Sequence, residues 1–134
     1  AIEKKLENVT FIRTRIEYIN SFFDQNEVSE IWITFPDPQP NKPKTKKRLT
    51  SPQFLERYEK ILSPKGIIHL KTDNTFLFDY TIEVIKEEGH NLVFETHDLY
   101  NNKGQDDALC IKTYYEKIFL EKNLPICYLK FYLQ

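Results

Sequence analysis

Glycine is scarce in this chain: three among 134 residues, Gly66, Gly89 and Gly104. None stands in a Gly-x-Gly loop after an apolar run, so these residues carry no nucleotide-cradling loop of that kind. Only two cysteines occur, Cys110 and Cys127, without Cys-x-x-Cys spacing. Both sit among apolar residues, which favours two buried free thiols in a reducing compartment over a disulfide. The three histidines, His69, His90 and His97, share no ligand spacing with cysteines or acids, so no metal is expected. No Ser-His-Asp or Cys-His pattern is present. No apolar run approaches eighteen residues, so no membrane-spanning helix is expected. The opening residues AIEKKLENVT lack the apolar stretch of a secretory signal, and a cytoplasmic location is the expectation. Net charge is also nearly absent, at −1. Any attraction to nucleic acid must therefore come from a local patch.

What remains is ample for a core: 40% of residues are hydrophobic and 14% aromatic. The length suits one domain or part of one. AIEKKLEN reads as the last turns of a helix. VTFIRT (9–14) reads as a short strand, and RIEYINSFF places Ile16, Ile19, Phe22 and Phe23 on one helical face. EIWITF is a buried strand. Ser51-Pro52 predicts a helix start, with serine as N-cap and proline at the first position. That helix carries Phe54, Leu55, Tyr58, Ile61 and Leu62 on its apolar side. Pro64-Lys65-Gly66 reads as a turn before the strand IIHLKTD. A helix from about Asn74 to Glu88 ends at Gly89, a residue suited to the left-handed position after a helix. NLVFETHDL is a strand, LCIKTYYEKIFLEKN mostly helix, and PICYLKFYL a closing strand. Strands alternating with helices predict an α/β layer structure with a largely parallel sheet. In such sheets ligands bind beyond the carboxyl ends of the strands. Two polar clusters fall at such ends: Phe35-Pro36-Asp37-Pro38 and Lys71-Thr72-Asp73-Asn74.

Asp37 has two readings. An aspartate beside proline is ordinary turn chemistry. Proline on both sides also stiffens the loop, and a rigid carboxylate at a strand mouth suits the positioning of a polar ligand. The next stretch holds Lys42, Lys44, Lys46, Lys47 and Arg48 with no acid among them. It is either a solvated surface loop or a row of phosphate contacts, kept extended by Pro40 and Pro43. Asn74 serves as an N-cap, which leaves Asp73 unexplained, since one cap suffices. Thr113 to Lys117 (TYYEK) gathers hydroxyl, aromatic and acidic groups in one helical turn, with inward-packed aromatics the simpler account.

Taken together, NVTFIRTRIE, EIWITFPDPQP, the loop ending KKRLTSPQF, GIIHLKTDN with LFDY, and TYYEKIF resemble the bacterial tRNA (guanine-N7)-methyltransferase family. They follow that family's order and spacing over nearly the whole chain. The resemblance implies a Rossmann-like class I methyltransferase sheet, mostly parallel with an antiparallel last strand, of family order 3-2-1-4-5-7-6. It implies S-adenosylmethionine as cofactor and a guanine of the tRNA variable loop as substrate. It assigns Asp37 to the catalytic centre, beside both cofactor and base. The family's substrate lysine falls on Asn41, with Lys42 adjacent. Asp73 and Thr113, Tyr114, Tyr115 and Glu116 match substrate-binding positions, and Arg15 stands where many members carry an acid near the adenine. Lys44, Lys46, Lys47 and Arg48 become the RNA phosphate contacts. The first two βα units, with the glycine loop and the ribose acid, are not here. Residues 1–134 then read as the C-terminal part of a single methyltransferase domain, not expected to be active alone. The open edge of EIWITF is expected either to pair with VTFIRT or to be covered by self-association.

Two rivals differ in class. A non-catalytic RNA-binding module would use only loop 42–48, but has no use for Asp37 and Asp73 beside its cations. A small-molecule or protein methyltransferase would not need the lysine run.

Overall fold

A computed structural model describes residues 7–102, 117, 118, 121, 122 and 124–134. Four strands, β1 (Val28–Thr34), β2 (Leu62–Thr72), β3 (Asn91–Thr96) and β4 (Cys127–Tyr132), form one sheet of order β1-β2-β4-β3. β1 and β2 are parallel, whereas β4 is antiparallel to both neighbours. Hence β1, β2 and β3 all run one way and only the last strand reverses. This is the expected mixed α/β sheet, and its order matches the 4-5-7-6 half of the sequence implied by resemblance. Among the described residues, no helix is long and apolar enough to cross a membrane.

Helices α1 (Pro52–Ile61) and α2 (Thr75–Glu87) pack on one face of the sheet. Both begin where their caps predict. Ser51 Oγ accepts from the Phe54 amide at 3.5 Å, and Asn74 Oδ1 accepts from the Leu77 amide at 2.8 Å. The predicted apolar side of α1 is buried at Phe54, Leu55, Tyr58 and Ile61, whereas Leu62, expected on the helix, is extended and opens β2. Period-two alternation sends Ile33, Ile68, Leu70, Leu129 and Phe131 to meet it. Gly89, at φ +73°, follows α2 as expected. The opposite sheet face carries a second cluster: Leu99, at the start of the short helix α3 (Leu99–Asn102), with Ile126, Tyr128, Trp32, Phe35 and Phe94.

Three expectations need correction. Residues 9–14 form no strand and do not pair with β1. A strand is stabilised by its ladder, and among the described residues this segment has none; Phe11 is left 83% exposed. Residues 16–23 hold a 3₁₀ helix, Ile16–Ser21, rather than a longer helical face. Pro64-Lys65-Gly66 is not a turn between elements. It lies inside β2, where the register jumps from Val28↔Leu62 to Glu30↔Ile67. The extra residues bulge outward, and a Cβ on Gly66 would meet Leu62 Cδ2 at 2.7 Å. The predicted helix 109–123 falls almost wholly outside the described residues, as does the opening 1–6.

Candidate functional site

The parallel register of β1 on β2 builds the site. Thr34 is the partner of Lys71, and the Phe35 amide donates to the Lys71 carbonyl at 2.8 Å. Asp37 lies two residues beyond Phe35, and Asp73 two beyond Lys71. Both acids therefore leave the same end of adjacent strands, and both are exposed.

The segment carrying Asp37 is bent sharply. Phe35 (φ +51°) and Gln39 (φ +46°) are both left-handed, and they bracket Pro36-Asp37-Pro38. Such conformations cost about 1–3 kcal/mol each outside glycine and persist only where surroundings enforce them. Three contacts do so here. Phe35 is pinned by the β2 carbonyl and packs in the second cluster. Asp37 Oδ1 accepts from the Gln39 amide at 3.0 Å. Arg48 Nε donates to the Gln39 carbonyl at 3.0 Å. Asp37 is thus a turn acid through one oxygen, while its carboxylate as a whole stays in solvent. The two readings of this residue are compatible.

The basic loop divides. Lys42, Lys44, Lys46 and Lys47 lie on or at the end of a 3₁₀ turn (Lys42–Lys47), and all four are exposed. Among the described residues none of them is in an ion pair. Arg48 differs: it is only 4% exposed. Its guanidinium lies 4.9 Å from the Phe76 ring centroid and 4.5 Å from that of Tyr80. Those rings are one turn apart on α2, so they grip the cation between them. In this conformation Arg48 is buried, with its Nε on the Gln39 carbonyl and its charge against two rings, unlike the four lysines in solvent. It ties the Asp37 loop to the helix that follows Asp73. Below it, Thr81 Oγ1 donates to the Leu77 carbonyl at 2.8 Å, which leaves Thr50 to donate in the buried Thr50–Thr81 pair at 2.7 Å.

The chain matches over residues 1–129 a family model described as "Putative methyltransferase". It is 48% identical over 132 residues to a tRNA (guanine-N(7)-)-methyltransferase of Christiangramia forsetii, covering 98% of this chain and 59% of that protein. Against the protein of the same name from Bacteroides fragilis, identity is 52% over 133 residues, covering 99% and 52%. For that of Listeria innocua the figures are 38% over 126 residues, 94% and 58%. This chain belongs to the methyltransferase family. It spans about half the length of the curated relatives it matches.

Seen as part of a family methyltransferase, the remaining site residues fall as follows. Arg15 is 74% exposed in its side chain and pairs with Glu17 at 3.5 Å rather than with Asp37. Asn41 precedes the basic 3₁₀ turn in extended conformation and is exposed, as is Lys42. Thr113, Tyr114, Tyr115 and Glu116 lie outside the described residues, as does Cys110. Cys127 is a buried free thiol, and burial, then the charges of Asp79 and Asp73, push its pKa up to about 11. Among the described residues no group of His, Cys, Asp and Glu could hold a metal ion.

Two features were not legible as site elements in the sequence. The first is the Phe76–Arg48–Tyr80 stack, whose only signal is a pair of aromatics at i, i+4 just after the Asp73 cap. The second is a polar-aromatic layer on the other sheet face, where Trp32 stacks on His69 at 3.8 Å and His69 Nδ1 meets the Tyr128 hydroxyl at 2.8 Å. Glu30 accepts from Trp32 Nε1 at 3.0 Å and lies 3.7 Å from His69 Nε2.

Proposed function

We propose that this chain is the substrate-side part of a tRNA (guanine-N7)-methyltransferase. The observation that carries this reading is the register: Asp37 and Asp73 leave adjacent parallel strands side by side, and the segment that follows Asp37 carries four exposed lysines outside any ion pair among the described residues. Guanine N7 is an acceptor with an in-plane lone pair and no proton, so no general base is required. Methylation leaves positive charge on the purine, which a fixed carboxylate stabilises as it develops. Asp37 is held for that role by the Gln39 amide. Asp73 is available for the guanine N1–H and N2–H₂ donors. Thr113, Tyr114, Tyr115 and Glu116 complete the substrate side, and Asn41 with Lys42 the approach. Lys44, Lys46 and Lys47 take the phosphates. Acids set among cations favour this over a simple RNA-binding module.

S-adenosylmethionine, when bound, supplies the methyl group as a sulfonium. The residues present fit two parts of it, the sulfonium and the adenine. Asp37 offers a solvent-facing carboxylate for the sulfonium side, and the segment Thr14 to Ile16 with Arg15 offers groups for the adenine. Of the described glycines, Gly66 is fixed against Leu62 and Gly89 closes α2, so neither forms a nucleoside cradle. Residues 1–134 are then the C-terminal part of one methyltransferase domain, and the edge of β1, unpaired among the described residues, is where further strands, or a second copy, would add.

The test is methyl transfer to a tRNA transcript by the full-length protein. Asp37→Asn should keep tRNA affinity and lower the rate about 10²–10³-fold. Near-normal turnover would reduce Asp37 to a turn residue.

A further inference from the structure

We infer that Phe76 is a stacking platform for an unpaired base of the bound RNA, a role that rests on the RNA reading above and adds a binding subsite to it. Phe76 is 49% exposed, although it sits in the first turn of α2, three residues after Asp73. A large apolar ring in that place is not needed to fill the core, whose α2 contribution comes from Leu77, Phe78, Val84 and Ile85. One face of the ring rests on the Arg48 guanidinium. That contact fixes the ring's tilt and leaves its uncovered side as a flat apolar surface beside the strand mouth.

The surroundings define the occupant. Below the stack, Tyr80 lines a groove of about 610 Å³ together with Lys42, Thr45, Lys46, Gln53 and Glu87. Phe76 stands one helical turn from Tyr80 on α2, so a ligand that spans platform and groove must offer a flat π-face and, about one turn along, negative charge for the Lys42 and Lys46 side of the groove, away from Glu87. A nucleotide chain repeats that pairing at every residue. Aromatic platforms flanked by cations are how proteins hold single-stranded RNA, with each stacked base contributing about 1–3 kcal/mol. RNA recognition targets such splayed bases in loops. Phe76 therefore takes a base while the lysines take the flanking phosphates. Arg48 supports the ring from behind and does not meet phosphate itself.

The test measures tRNA affinity of the full-length protein over a KCl series, for the unsubstituted protein and for Phe76→Ala, Phe76→Leu and Phe76→Trp. Stacking predicts an affinity loss of about 5- to 100-fold for Phe76→Ala. It predicts an unchanged salt slope, because no phosphate contact is removed. Phe76→Leu still covers Arg48 but has no flat face, so it should bind as weakly as Phe76→Ala. Phe76→Trp should bind like the unsubstituted protein and add a fluorescence that tRNA quenches, seen above the Trp32 background. Unchanged affinity in Phe76→Ala, full affinity in Phe76→Leu, or a reduced salt slope in either overturns the platform while leaving the RNA reading intact. Failure of the unsubstituted protein to bind tRNA overturns both.

Discussion

Removing Arg48 distinguishes a clamp from a phosphate contact. The guanidinium is buried, donates to the Gln39 carbonyl at 3.0 Å, and lies between two rings at 4.9 and 4.5 Å. A hydrogen bond from a charged donor contributes about 1.5–3 kcal/mol, and a desolvated cation–π contact about 2 kcal/mol. The desolvation of the guanidinium offsets part of this, and the contacts are coupled. Arg48→Ala should therefore destabilise the fold by about 3 kcal/mol, a fall in thermal midpoint of about 10 °C for a domain of this size. Arg48→Lys should recover less than half, since an ammonium has no planar fork to stack and donate at once. Gln39, released from its left-handed position, lets Asp37 drift, so the methylation rate should fall more than tRNA affinity does. Thermal unfolding, together with filter binding of tRNA across KCl concentrations, reads both quantities. If Arg48→Ala melts like the unsubstituted protein and loses about one unit of salt slope, the arginine faces RNA phosphate and the clamp is wrong.

The exposed lysines should behave in the opposite way. Replacing Lys42, Lys44 and Lys46 with alanine should leave the melting midpoint nearly unchanged and lower the salt slope of tRNA binding by about one per lysine; an unaltered slope removes the loop from the interface. Cys127, raised from 9.0 to about 11, is neutral at pH 7 and should resist thiolate-directed alkylation in the folded chain, followed by the mass of its own peptide. Because its folded pKa lies above the unfolded one, its contribution to stability is complete below pH 9 and disappears as pH rises through about 11; a flat unfolding profile over that window contradicts this. Residues 1–134 expressed alone should self-associate through the β1 edge in sedimentation, and a monomer at all concentrations would show that the edge is protected.

Helix starts were legible because their determinants are local. Ser51-Pro52 and Asn74 carry the capping oxygens in their own side chains, and three or four residues suffice to read them. The order β1-β2-β4-β3 came from resemblance, since no local rule places the last strand between the second and third. The errors share a cause. VTFIRT has the β-branched and aromatic residues of a strand, but strand propensity describes fitness for a pleated surface that a partner must supply. Pro64-Lys65-Gly66 has turn chemistry. The ladder to β1 runs past it all the same, because Leu62 and Ile67 both find partners and the intervening residues bulge away.

The site was legible by residue type and illegible by geometry. Asp37 and Asp73 could be placed at strand ends from the apolar runs before them. That Phe35 and Gln39 are left-handed could not, since neither residue type prefers it. The strain becomes visible only with the Lys71 carbonyl, the Asp37 oxygen and Arg48 in position around the loop. Arg48 looked like the last member of a basic run, and charge counting gave it the same role as its neighbours. Its difference comes from Phe76 and Tyr80, 28 and 32 residues later, which reach it only once α2 is folded against the loop. A one-dimensional run of like charges thus holds two environments. The fold leaves four of the cations in water, and takes the fifth in against the Gln39 carbonyl and two rings of α2.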